Sequence, residues 1–200
     1  PDAHFFWEAK YNGTEVIAIS PEFTPTAMHA SKWVNPKPGT DAALAMGMAN
    51  QIIQSRRFKA SYLCEQTDMP FLVRQDNGKF LRETDILGTA DARDNLFYIW
   101  DQDRSIMVEA PATGAPKPPP GSMVPVMNQG SLELEGIQPA LEGEWIIEAA
   151  EGPVAVTTVF QKIKSECKQY TPEHVSEITG LNPAVIVELA QKFAAADPGM

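Results

Sequence analysis

Cysteine and histidine are scarce in this 200-residue chain, and basic residues are outnumbered. The two cysteines, Cys64 and Cys167, stand far apart and fit no CxxC or Cys/His ligand spacing. That disfavours a zinc or iron–sulfur site built by this chain alone, and nothing in the spacing supports a disulfide. The three histidines, His4, His29 and His174, are scattered. His174, in the first turn of a predicted helix, reads as a solvated surface residue. Lys and Arg number 16 against 26 Asp and Glu, a formal net charge of −10. This argues against nucleic acid as a partner, because phosphate binding depends on clustered cations; the acidity serves solubility. No apolar run approaches the ~20 residues that cross a bilayer. GxSxG and HExxH are both missing. Glu133 and Glu135 alternate on a predicted strand and read as a solvated face rather than a glycosidase pair.

What is present is ordinary globular composition, 44% hydrophobic and 21% charged. The length suits one domain or two small ones, each able to bury a core. The chain begins Pro1-Asp2 and stops at Ala-Asp-Pro-Gly-Met200, just past a predicted helix where a further element is expected. It reads as an excised piece of a larger polypeptide. Hydrophobic periodicity, caps and turn residues predict helices over Asp2–Lys10, Thr26–Ala30, Asp41–Gln54 and Ala60–Gln66. The first two alternate with short strands over Glu15–Ile19 and Lys32–Asn35, a succession that suggests an α/β layer with a parallel sheet. Thr40 is placed to cap the third helix. Its alanine-rich surface predicts burial on most sides, and Gly47 in its interior predicts close approach by another backbone.

Further on, Phe71–Arg74 reads as a strand before an Asp76-Asn-Gly78 turn. Phe97–Trp100 and Ser105–Val108 suit a hairpin. Pro111–Pro125, with six prolines, reads as an extended loop or tether. Strands are predicted at Leu132–Leu134, Glu144–Ala149 and Val154–Val156. A helix follows over Thr157–Lys168, then a short one opened by Thr171-Pro172 and closed by Gly180. The last is opened by Asn182-Pro183 and carries Ile186, Leu189 and Phe193 on one face. The expected fold class is α/β: part of a Rossmann-like parallel sheet layer with helices, a mixed β-rich excursion, and C-terminal helices. The expected division is 1–60 as a nucleotide-binding segment, 61–156 as a strand and loop region, and 157–200 as helices returning to the α/β domain.

The residues suited to ligand chemistry fall in the first forty or so. Ser20 ends a predicted strand and Glu22 follows; in open α/β sheets ligands bind outside the carboxyl ends of strands. A Glu there can accept hydrogen bonds from ribose hydroxyls. Asp41, at a helix start, can accept two bonds from the ring N–H and exocyclic amine of guanine. Gly39 admits close backbone approach, and Lys37 can meet a phosphate. The same residues equally suit two turns and a capped helix.

A resemblance separates the two readings. Pro1-Asp-Ala-His-Phe-Phe6, Gly13-Thr-Glu-Val-Ile-Ala-Ile-Ser-Pro-Glu22 and Lys37-Pro-Gly-Thr-Asp-Ala-Ala-Leu44 resemble consecutive blocks of the molybdopterin oxidoreductases of the dimethyl sulfoxide reductase family. Glu65-Gln-Thr-Asp-Met-Pro-Phe-Leu-Val-Arg74 and Asp76-Asn-Gly-Lys-Phe-Leu-Arg82 are similar to the branch holding nitrate, perchlorate, chlorate and selenate reductases, dimethyl sulfide dehydrogenase and ethylbenzene dehydrogenase. Pro139-Ala-Leu-Glu-Gly143, Tyr170-Thr-Pro-Glu173 and Ile178-Thr-Gly180 continue the pattern.

The resemblance implies a segment of a catalytic subunit that holds molybdenum in a bis-molybdopterin guanine dinucleotide cofactor. It implies oxygen-atom transfer on an oxyanion such as nitrate, selenate, chlorate or perchlorate, with hydrocarbon or sulfide dehydrogenation as the alternative. By position, Ser20, Glu22, Lys37, Gly39 and Asp41 match the part of the family that grips one guanosine tail, Ser20 replacing the acid many relatives carry. The molybdenum ligand and the cysteines of the subunit's iron–sulfur cluster are expected upstream of this chain, so the segment alone is expected to be inactive. The implied partners are the remainder of the subunit, an iron–sulfur electron-transfer subunit and, as a further candidate, a haem-binding subunit. The implied location is the periplasm, with the cytoplasmic face of the membrane as alternative. A non-catalytic α/β nucleotide-binding or interaction module is the reading from another class.

Overall fold

A computed structural model describes residues 3–115 and 132–196. In chain order these form α1 (Ala3–Tyr11), β1 (Ile17–Ile19), α2 (Pro25–His29), β2 (Lys32–Val34), α3 (Asp41–Gln54), α4 (Ala60–Gln66), β3 (Leu72–Arg74) and α5 (Glu83–Leu87). There follow β4 (Tyr98–Asp101), β5 (Ile106–Glu109), β6 (Glu144–Ala149), β7 (Gly152–Thr158), α6 (Val159–Cys167), α7 (Pro172–Thr179) and α8 (Pro183–Ala195). Most of the proline-rich loop expected at 111–125 lies outside the described residues, as does the end of the chain from 197. The elements cluster into two compact units. One is drawn from the chain up to Phe58 and from Cys167 onward; the other is Lys59–Glu166.

The first unit is the α/β part. β1 and β2 pair in parallel, Ile17 opposite Lys32 and Ile19 opposite Val34, and α2 makes the crossover. Thr24 caps α2, its hydroxyl accepting the Ala27 N–H at 3.2 Å, and Pro25 occupies the first turn. α3 packs against α7 and α8. Val34, Leu44, Val175, Leu181, Ile186 and Leu189 form the buried core between them. α7 shows a full set of boundary signals: the Thr171 hydroxyl accepts the His174 N–H at 3.3 Å, Pro172 follows, and Gly180 closes the helix at φ 75°.

Gly47 is buried as expected, but against a side chain and not a backbone. A Cβ there would lie 2.8 Å from Val175 Cγ2, so its absence lets α7 seat on α3. α3 is less enclosed than its alanines predict: Leu44, Gly47 and Asn50 are buried, whereas Ala42 and Ala45 are exposed. The Asn50 amide donates to Tyr170 O at 3.1 Å, which offsets the cost of its burial. His174 is exposed.

The second unit is antiparallel. A three-stranded sheet runs in the order β3-β7-β6, and β4 pairs with β5 across the expected hairpin. Leu72, Leu81, Leu96, Tyr98, Ile147 and Val156 form one core cluster; Phe71, Ile99 and Ala110 form another. Trp100 and Trp145 stack at 4.7 Å between centroids.

Two predicted elements differ. The helix expected from Thr157 starts at Val159, because Thr157 and Thr158 continue β7 opposite Val73 and Leu72. β-branched residues favour a ladder when a partner strand is at hand. The Thr158 hydroxyl then accepts the Gln161 N–H at 3.0 Å and opens α6. The strand expected at Leu132–Leu134 does not form. Glu133 and Glu135 take left-handed conformations, φ 49° and 39°, and Ile137 N–H donates to Leu134 O at 2.7 Å in a turn. Leu132, Leu134 and Ile137 still pack on the second cluster, so the alternation of apolar residues there is real but serves a looped segment.

Candidate functional site

The parallel pairing of β1 with β2 fixes where the predicted ligand residues lie. Ser20 and Glu22 follow the carboxyl end of β1; Lys37, Gly39 and Asp41 follow the carboxyl end of β2 and lead into α3. Topology therefore brings all five to one end of the layer, the end at which open α/β sheets receive ligands.

The turn after β1 is held from both sides. Ser20 N–H donates to Val34 O at 3.0 Å, continuing the ladder by one residue. The Ser20 hydroxyl donates to Glu22 O, closing the turn locally and committing its proton, while its oxygen can still accept. The Trp33 indole N–H donates to Ser20 O at 3.0 Å, and Phe23 packs edge-on against the same indole at 5.1 Å. Sequence reasoning missed Trp33. The available signal was a tryptophan on a thin two-strand layer, whose N–H needs an acceptor.

The start of α3 differs from expectation. The Thr40 hydroxyl donates to Lys37 O at 2.6 Å rather than capping the helix, and no side chain caps α3. A free helix N-terminus presents unsatisfied N–H groups and partial positive charge. Gly39 sits at φ 78°, and a Cβ placed on it would meet nothing within 4 Å. The approach to the α3 amides is thus open. Glu22 and Asp41 are exposed, and their carboxylates have no hydrogen-bond or ion-pair partner among the described residues.

Lys37 is committed elsewhere. Its N–H donates to Thr179 O at 2.8 Å and its ammonium approaches Glu177 O at 3.4 Å. Both acceptors are carbonyls at the C-terminal turn of α7, where the helix dipole favours a cation. A phosphate at Lys37 would compete with that one long contact.

Other chemistry is less well supplied. Among the described residues no group of three or more His, Cys, Asp or Glu could hold a metal. Burial and the neighbouring Glu65 push the Cys64 thiol above its ordinary pKa, which keeps it protonated and a poor nucleophile. Cys64 and Cys167 are both buried, and neither is in a disulfide among the described residues. An open pocket of about 590 Å³ in the second unit is bordered by Ser61, Cys64, Glu65, Gln102, Glu135 and Gln138.

The described groups suit a polar ligand that carries both donors and acceptors. Two unpartnered carboxylates can accept N–H and O–H donors, and open backbone amides can meet an acceptor. Fold and site together define an α/β segment whose strand ends and uncapped α3 start lie at one end of the layer.

Comparison with known proteins gives this class a family. No family model matches the sequence. The chain is 42% identical to the chlorate reductase subunit alpha of Ideonella dechloratans over 95% of its length, covering 19% of that protein. It is 40% identical to the dimethylsulfide dehydrogenase subunit alpha of Rhodovulum sulfidophilum over 98% of its length, covering 20% of that protein. It is 39% identical to the perchlorate reductase subunit alpha of Dechloromonas aromatica over its whole length, covering 22% of that protein. The chain belongs to the dimethyl sulfoxide reductase family of molybdopterin oxidoreductases. It spans about one fifth of the length of the alpha subunits it matches.

Proposed function

We propose that this chain is the segment of a molybdenum oxidoreductase alpha subunit that grips one guanosine tail of bis-molybdopterin guanine dinucleotide. The observation that carries the reading is the unblocked start of α3, with Asp41 unpartnered and Gly39 open beside it. When bound, the cofactor supplies two-electron oxygen-atom transfer at molybdenum. This chain's residues hold the cofactor and leave the reacting atoms to other parts of the subunit.

The roles follow from chemistry. Asp41 accepts the guanine ring N–H and exocyclic amine as a charge-assisted pair. Glu22 accepts ribose hydroxyls; the Ser20 hydroxyl, its proton given to Glu22 O, can join only as a further acceptor. Gly39 admits the tail to the α3 amides, and Lys37 meets a phosphate only by leaving α7. Trp33 holds the turn that carries Glu22.

The parent enzyme is an oxyanion reductase in this reading, supported by chlorate and perchlorate reductase subunits among its relatives. Dehydrogenation of a sulfide is the second reading, favoured by the dimethylsulfide dehydrogenase match. Assays of the parent protein for chlorate reduction and dimethyl sulfide oxidation separate the two. Each of these relatives is a subunit alpha, which supports a multi-subunit assembly. We assign it an iron–sulfur electron-transfer subunit, with a haem-binding subunit as a further candidate, an iron–sulfur cluster in the alpha subunit, and a periplasmic location. Asp41→Ala in the full-length subunit is the direct test. Losing hydrogen bonds to a charged acceptor weakens binding by about 10- to 100-fold, so guanine nucleotide and molybdenum content fall together. Unchanged occupancy removes Asp41 from the site.

A further inference from the structure

Every polar group of Lys37 has a partner in the first unit. Its N–H donates to Thr179 O at 2.8 Å, and its ammonium donates to Glu177 O at 3.4 Å, 140 positions along the chain. Its carbonyl accepts the Thr40 hydroxyl at 2.6 Å and the Thr40 N–H at 3.3 Å. One residue thus joins the end of α7 to the turn that opens α3. A helix leaves its last four carbonyls without intrahelical partners, and Lys37 supplies donors to two of them in α7.

The sequence makes this junction stiff. Lys37 stands between Pro36, which is buried, and Pro38. Each proline ring fixes φ, and a residue ahead of a proline is held extended. Neither proline has an N–H, so the Lys37 N–H is the one main-chain donor of that Pro-Lys-Pro step, and it is committed to α7. The Lys37 stem lies over Gly180: a Cβ placed there would stand 3.1 Å from Lys37 Cε and 3.6 Å from Cγ. Gly180 therefore does two things. Its φ of 75° closes α7, and its bare Cα leaves room for the stem. Asn also adopts that backbone conformation, but it would carry a side chain into the path of Lys37.

We propose that Lys37 is a positioning residue and not a phosphate ligand, and that Gly180 acts through it. Lys37 fixes the turn from Pro38 to Asp41 against α7, and so sets where Gly39 and Asp41 stand. Two arguments select this role over a phosphate contact. Drawing the ammonium to a phosphate would strip α7 of a donor and lift the stem from Gly180, while the main-chain bonds to Thr179 and Thr40 still hold the residue in place. A residue needed only for its charge would also require neither a bare Cα beneath its stem nor a proline on each side. The effect on cofactor retention rests on the nucleotide reading above; the junction between α7 and α3 does not.

The test uses the full-length alpha subunit with Lys37→Met, which keeps the stem, Lys37→Ala, which removes it, Gly180→Asn, and Gly180→Asn combined with Lys37→Ala. Two quantities are read: guanine nucleotide released per subunit on denaturation, and hydrogen exchange of the amides at positions 37 and 180. Lys37→Ala is expected to speed that exchange about two- to fivefold, as the loss of one hydrogen bond does, and to lower the nucleotide content. Lys37→Met is expected to retain more nucleotide than Lys37→Ala. Gly180→Asn should lower the content while Lys37 is present and add no further loss to Lys37→Ala, the non-additivity of two groups in contact. Equal nucleotide loss in Lys37→Met and Lys37→Ala, with exchange unchanged, overturns the proposal and makes Lys37 a phosphate ligand. Additive losses overturn the part given to Gly180. If Gly180→Asn does not fold, the two Lys37 variants decide the matter. Asp41→Ala judges the nucleotide reading separately: should that reading fail, faster exchange in Lys37→Ala still upholds the junction and unchanged exchange still overturns it.

Discussion

Glu83 is the most tightly held carboxylate in the second unit. Its Oε2 accepts the Arg93 backbone N–H at 2.6 Å and Nε at 2.9 Å, and its Oε1 accepts Nη2 at 2.6 Å. These bonds to Arg93 hold its pKa down from the ordinary 4.5 to about 2. A carboxylate with a depressed folded pKa stabilises the fold above its unfolded pKa, and that contribution is lost as pH falls through the folded value. Denaturant titrations should therefore show stability falling between pH 4.5 and about 2. Glu83→Gln should reduce stability at pH 7 and flatten that acid limb; an unaltered limb would show that another group sets it. Arg74 is placed similarly, its guanidinium reaching Asp76 and Asp85 at 2.7 and 2.6 Å, and the Asp76 carboxyl is lowered chiefly by that hydrogen bond. Neither cluster was legible in the sequence, because Glu83 and Arg93 meet through a loop whose path no local pattern encodes.

At the scale of elements, the seat of α7 on α3 depends on one missing methyl group. Gly47→Ala would regain about 1 kcal/mol of helix propensity but would push a Cβ to 2.8 Å from Val175, which is fully buried. Overpacking of this kind costs about 1–3 kcal/mol, so the net is a destabilisation on the order of 1 kcal/mol, measurable by chemical unfolding of the chain. A gain in stability would mean that α7 shifts freely. Elements with strong periodicity, or with chemistry at both ends, were readable. α3 was predicted residue for residue, and α7 was bounded correctly by Thr171, Pro172 and Gly180. Elements whose identity depends on a distant partner were not. Thr157 and Thr158 suit helix or strand until β3 offers a ladder. The Leu132–Leu134 alternation suits a strand until no edge is there to receive it. For the candidate site, the placement of Ser20, Glu22, Gly39 and Asp41 at one end of the layer was legible from strand order. The engagement of Lys37 by α7 was not, since Thr179 lies far along the chain.

At the scale of the whole chain, the α/β unit is assembled from two stretches separated by the entire second unit. In its main buried cluster, Val34 and Leu44 come from the first stretch, and Val175, Leu181, Ile186 and Leu189 from the second. A chain ended at Glu166 should therefore lose cooperative unfolding of this unit, with helical circular dichroism falling by more than the removed helices account for. Retained cooperativity would mean that the first stretch holds itself together. The same arrangement imposes an order in time. During synthesis, at roughly 5–20 residues per second, the interval from Phe58 to Cys167 keeps the first stretch waiting on the order of 5–20 s. Throughout that wait Val34, Leu44 and Met48 have no helical cover from α7 and α8. The growing chain thus offers a chaperone its apolar surface well before the α/β layer can close.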